Sequence, residues 1–91
     1  MTAYTISWDE AAVGDFTSLQ KDVRERIIKK VGSIAGNPFH FAARLTGYPF
    51  FRIRVGDYRV VLDVRPQEKK IIVILVGHRS EVYTALGRRT N

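Results

Sequence analysis

The chain has 91 residues, with 15 lysines and arginines against 9 aspartates and glutamates, a formal charge of +6 and no cysteine. That length suits a single domain over residues 1–91 with a thin core, since folding of so small a chain buries only about 60–65% of its extended surface, and the lack of cysteine excludes disulfides, thiolate metal sites and cysteine nucleophiles. The charge favours polyanionic partners, nucleic acid first, and the basic residues form neither a tail nor the amphipathic helix that would lie on a membrane.

Met1-Thr2-Ala3-Tyr4-Thr5 lacks the basic stretch and apolar run of an export signal, and the longest apolar run, Ile71 to Val76, is too short to span a bilayer. A soluble, cytoplasmic protein is expected. Tyr4-Thr5-Ile6-Ser7-Trp8 alternates apolar and polar residues and reads as a strand with Tyr4, Ile6 and Trp8 turned inward. Asp9 is a candidate N-cap for a helix over Glu10–Leu19, carried by Ala12, Phe16 and Leu19 and weakened by Gly14. A firmer helix, Lys21–Ala35, has Val23, Ile27, Val31, Ile34 and Ala35 on one stripe, leaving Arg24, Arg26, Lys29 and Lys30 on its solvated side. Gly36-Asn37-Pro38 should stop it, with Gly36 as a left-handed cap.

Phe39 to Pro49 is irregular and rich in aromatics, and its His40 reads as a packed or surface residue rather than a ligand. Three strands follow, at Phe50–Val55, Tyr58–Arg65 and Ile71–His78, the last apolar on both faces as a covered central strand should be. Ser80 can cap a short final helix through Leu86, ended by Gly87. The fold class is α+β, in the order β-α-α-β-β-β-α: a mainly antiparallel four-stranded sheet, a helix pair on one face and a short C-terminal helix.

Gly56-Asp57 is a two-residue hairpin signal, Gly56 supplying the positive φ of a II′ turn. With Val55 opposite Tyr58, Arg54 faces Arg59 and Arg52 shares their side of the sheet. Like charges directly opposite one another destabilise a strand pair. The cluster therefore reads either as an anion site, arginine being suited to bidentate contact with phosphate, or as a solvated face whose arginine stems cover apolar surface.

Gly77-His78-Arg79-Ser80-Glu81-Val82-Tyr83 adds titratable and donor groups where a strand gives way to a helix. Arg52, Arg54, Arg59, His78, Arg79 and Tyr83 together could break an RNA phosphodiester without metal. The RNA's own 2′-hydroxyl attacks the adjacent phosphorus, arginines neutralise the crowded oxygens, and an acid protonates the departing 5′ oxygen. Arginine is not the base at neutral pH, its pKa exceeding 12, which leaves His78 and Tyr83 for proton transfer. No glycine-rich phosphate loop, nucleophile elbow or paired-histidine metal motif is present, so neither a metal nor a small-molecule cofactor is expected.

Three motifs in order, Arg44-Leu45-Thr46-Gly47-Tyr48-Pro49, Phe51-Arg52-Ile53-Arg54-Val55-Gly56-Asp57-Tyr58-Arg59-Val60-Val61 and Val76-Gly77-His78-Arg79-Ser80-Glu81-Val82-Tyr83, resemble the RelE toxins of the RelE/ParE superfamily. The resemblance implies the toxin of a toxin–antitoxin pair: an endoribonuclease that cuts messenger RNA on the ribosome and is held inactive by a cognate antitoxin. It assigns Arg52 and Arg54 to two basic strand positions, Arg59 to the arginine after the hairpin, and Arg79 and Tyr83 to a C-terminal arginine and tyrosine. RelE enzymes often carry lysines where this chain has Arg52 and Arg54, so a proton-transfer role of those lysines does not carry over. The alternative implied by the same resemblance is a ParE-like, non-enzymatic inhibitor of DNA gyrase.

Overall fold

The computed structural model describes residues 3–90. Met1, Thr2 and Asn91 lie outside the described residues, and with Met1 and Thr2 part of the run read as lacking an export signal. The elements are β1 (Thr5–Trp8), α1 (Glu10–Thr17), α2 (Lys21–Ser33), α3 (Pro38–Phe41), β2 (Ala43–Arg44), β3 (Phe51–Val55), β4 (Tyr58–Arg65), β5 (Lys70–His78) and α4 (Val82–Arg89). The strands form one sheet in the order β1-β5-β4-β3-β2. β1 runs parallel to β5 and the other pairings are antiparallel. The expected four-stranded sheet thus gains a fifth strand, the two-residue β2, because the irregular stretch after Pro38 makes one helical turn and then pairs Ala43 and Arg44 with β3. No described helix is long and apolar enough to cross a membrane.

Period-2 alternation divides the sheet's side chains between two cores. Ile53, Val55, Val60, Leu62, Ile71, Val73 and Val76 pack with Ala12 of α1 and Val23, Ile27 and Val31 of α2, and Tyr4, Ile6, Trp8 and Phe16 close the edges. Val61 and Leu75 point the other way and pack with Leu45 and with Val82 and Leu86 of α4. β5 is therefore covered on both sides, as its apolar sequence requires. Its register contains a bulge: Val61 pairs with Leu75 but Leu62 with Val73, so Ile74 is an extra residue. Ile74 and Leu75 consequently fall on the same side, with α4. Beyond them the alternation is inverted, Val76 joining the larger core.

Three local expectations are corrected. Helix α2 ends at Ser33 without a left-handed glycine; Gly36 has no positive φ, and the chain leaves through tight turns in which Ile34 N–H donates to Val31 and Ala35 N–H to Gly32. Ser80 does not cap α4, whose N-cap position is Glu81, because its hydroxyl is engaged with His78 at 2.8 Å. Gly87 lies inside α4 rather than ending it, and the helix continues to Arg89. The hairpin matches its expected register: Val55 opposes Tyr58, Arg54 opposes Arg59, and Gly56 has φ +59°.

Candidate active site

The β3–β4 hairpin sends Ile53, Val55 and Val60 into the larger core and, by alternation, Arg52, Arg54 and Arg59 to the opposite side. α4 covers only part of that side, leaving an open cavity of about 450 Å³ lined by Arg52, Arg54, Arg59, Arg79, Ser80 and Tyr83. Residues from two strands, the loop after β5 and the first turn of α4 thus converge on one depression. A neighbouring depression is lined by the single run Arg44–Pro49 and gathers no comparable set of groups.

The four arginines are held differently. Arg59 is buried, 9% exposed, and one of its terminal nitrogens donates to the carbonyls of Gly56 at 3.1 Å and Tyr58 at 2.9 Å. It sits opposite Gly77, whose lack of a side chain leaves room on that face; a Cβ there would lie 3.4 Å from Val82. Arg54, directly across the ladder from Arg59, is exposed. Arg52 is half-buried beside Val61. Arg79 is tied to the hairpin turn, its N–H donating to the Asp57 carbonyl at 2.8 Å and its guanidinium lying 3.8 Å from the Asp57 carboxylate. That last pair is largely exposed, and screening leaves it little energetic weight. The backbone bond, by contrast, fixes where the loop crosses the hairpin.

Tyr83, on α4, presents its ring to the cavity with 42% of its surface exposed. His78 stands apart from the other sequence-derived candidates and does not line the cavity. Because Ile74 inverts the alternation of β5, His78 shares the side of Val76 and lies edge-on to Tyr58, with ring centroids 5.5 Å apart. Its Nδ1 accepts the Ser80 N–H at 3.2 Å and meets the Ser80 hydroxyl at 2.8 Å. Ser80 therefore stands between His78 and the cavity, a residue that the motif contains and that sequence reasoning used only as a helix cap.

The cavity concentrates fixed positive charge beside one phenol and one serine hydroxyl. Such a surface can neutralise the equatorial oxygens of a phosphodiester approaching a pentacoordinate state, with guanidinium forks matched to oxygen pairs. Among the described residues, no three His, Asp or Glu side chains come together as a metal ligand set.

Residues 6–83 match the family described as the ParE toxin of the type II toxin–antitoxin system parDE. The chain is also 34% identical to the mRNA interferase toxin RelE of Escherichia coli strain K12, over 96% of this chain and 97% of that protein. The chain belongs to the RelE/ParE family of toxins. Among solved structures, the isolated E. coli RelE toxin superposes with a TM-score of 0.76 at 33% identity, covering 98% of this chain and all of that one. RelE within the intact E. coli RelBE toxin–antitoxin complex gives 0.76 at 32% identity, over 84% of this chain and 96% of the other. The α+β order expected from the sequence is thus the order of RelE structures, and the arginine cavity lies within the matched span.

Proposed function

We propose that this chain is the toxin of a toxin–antitoxin pair and that it cleaves messenger RNA on the ribosome, acting in the cytoplasm without a metal ion. The observation that carries this reading is the convergence of Arg52, Arg54, Arg59, Arg79 and Tyr83 on a part of the sheet that α4 leaves open. Likeness to mRNA interferase RelE supports the substrate class.

In the proposed reaction the 2′ oxygen of one nucleotide forms a bond to the adjacent phosphorus and the bond from phosphorus to the 5′ oxygen breaks. The proton of the 2′-hydroxyl leaves to solvent. Tyr83 delivers a proton to the departing 5′ oxygen and recovers one from solvent, so the products are a 2′,3′-cyclic phosphate and a 5′-hydroxyl. Arg52, Arg54 and Arg79 meet the developing charge. Arg59, braced by the turn carbonyls, presents its remaining N–H groups to the same oxygens. With arginines at both strand positions the site holds no strong base, so the chemistry depends on in-line placement of the 2′-hydroxyl, and orientation of that kind is worth several kcal/mol, up to about 7–11 in favourable cases. The decoding site of the ribosome supplies the surface that holds the message in line.

A cognate antitoxin holds the toxin inactive by covering the arginine side of the sheet with an acidic segment. RelE of E. coli has been solved as an intact complex with its antitoxin.

The test is to add purified protein to ribosomes stalled on a defined message and to map the new RNA ends. Cleavage to cyclic phosphate ends, insensitive to chelation while the ribosomes stay assembled, is expected, with naked RNA bound in a salt-sensitive way but cut slowly or not at all. The family matched by residues 6–83 carries the ParE name, so the same protein is assayed against DNA gyrase. Blocked supercoiling with translated RNA left whole would establish the non-enzymatic alternative.

A further inference from the structure

The bulge at Ile74 leaves a defect at the sheet edge that only side chains repair. β1 ends at Trp8, and Asp9 N–H makes the last bond to this edge of β5, at the Val73 carbonyl. Beyond it, the Ile74 carbonyl and the Val76 N–H have no strand to meet them, and unpaired backbone groups beside a core are costly. Asp15 of α1 accepts the Val76 N–H at 3.0 Å, and Arg89, the last residue of α4, donates to the Ile74 carbonyl at 3.0 Å. The two side chains also join each other, Arg89 donating to one Asp15 oxygen at 2.9 Å and to the other at 2.6 Å. The Asp15 side chain keeps 19% exposure and that of Arg89 32%. An isolated surface ion pair contributes little. This one is bidentate, partly shielded, and fixed at both ends by backbone bonds.

α4 depends on such an anchor. It has eight residues, too few to persist alone in water. Only Val82 and Leu86 are buried among them, and its N-terminus has no side-chain cap. Arg89 stands at the C-terminal end, where a cation also suits the helix dipole. Tyr83 has no hydrogen bond to other described residues, so its ring sits wherever the helix sits.

We infer that the Asp15–Arg89 clamp seats α4 and thereby sets the position of Tyr83 over the arginine cavity, although the clamp lies about 9 Å along the helix from Tyr83. Asp15 and Arg89 are positioning residues: neither lines the cavity. This role rests on the use of Tyr83 proposed above.

The test compares Arg89→Ala, Asp15→Asn, the double variant and Arg88→Ala, the last removing the same charge one residue away. Asp15→Asn keeps an oxygen for Val76 N–H and stands in if Arg89→Ala fails to fold. In both single variants the amides of Val82–Arg89 should exchange roughly tenfold faster while those of β4 keep their protection. The Tyr83 ring resonances should move toward those of a free tyrosine. On stalled ribosomes kcat should fall about tenfold to 10²-fold, a displacement near 1 Å being enough for the larger figure, with KM unchanged. The double variant should be no worse than either single one, as expected of one shared interaction, and Arg88→Ala should match the parent.

Unchanged exchange in α4 would overturn the clamp. So would loosened exchange with kcat intact, or an equal loss in Arg88→Ala, or a rise in KM alone, which would make Arg89 an RNA contact. If the parent protein cuts no message, the proposed function fails, and the exchange and resonance measurements still decide whether the clamp seats α4 and Tyr83.

Discussion

The two sides of the sheet are built from alternating residues of the same strands and come out differently. On one side α1 and α2 seal Ile53, Val55, Val60 and Leu62 into a continuous apolar core. On the other, α4, about 12 Å long, shields Val61 and Leu75 but stops short of Arg52, Arg54 and Arg59. Stability therefore resides mainly on one side and the proposed chemistry on the other, within a single hairpin. A small fold can keep a cluster of like charges because its neighbours in sequence are buried on the far side.

The largest effect should come from emptying the sealed side. Ile53, 2% exposed in that core, replaced by Ala should cost about 2–5 kcal/mol, measured by denaturant unfolding. Its neighbour across the sheet should behave oppositely: Arg54→Ala should lose about 10²-fold or more in message cleavage, while its thermal midpoint holds or rises as repulsion from Arg59 is relieved. A large loss of stability with cleavage intact in the folded fraction would return Arg54 to the scaffold.

Arg59 sharpens the contrast because it belongs to both sides of it. Removing its side chain relieves the same repulsion but also frees the Gly56 and Tyr58 carbonyls, so Arg59→Ala should lose cleavage and about 1 kcal/mol of stability together. The smallest effect should be at the rim. Asp57→Asn, at the exposed pair with Arg79, should change stability by no more than about 0.5 kcal/mol in either direction, since the Asp57 carbonyl still receives Arg79 N–H.

The arginine side was legible because a hairpin with a two-residue turn fixes register, and register fixes faces; the pairing of Arg54 with Arg59 follows from Gly56-Asp57 alone. Arg79 and Tyr83 came from a motif. His78 belongs to the same motif, and its turn away from the cavity follows from a bulge of which Ile74, among apolar neighbours, gives no sign. β2 escaped notice because two residues carry no periodicity, and the ends of α2 and α4 because their terminations rely on backbone turns and a distant ion pair instead of cap residues. Asp15 was invisible for the same reason: its partners are 61 and 74 positions away.

The extra residue in β5 works on the protein surface as a frameshift works on a message. Were Ile74 paired regularly instead of bulged, the rest of the strand would exchange its inside for its outside: His78 would turn toward the arginines, and Val76 would leave the larger core. A strand shorter by that one residue would keep Leu75 to His78 on their present sides, so the faces depend on where the extra residue sits rather than on the length of the strand. Alignments that slide a gap freely along Ile71–Val76 will misassign which side chains share the face of the arginines.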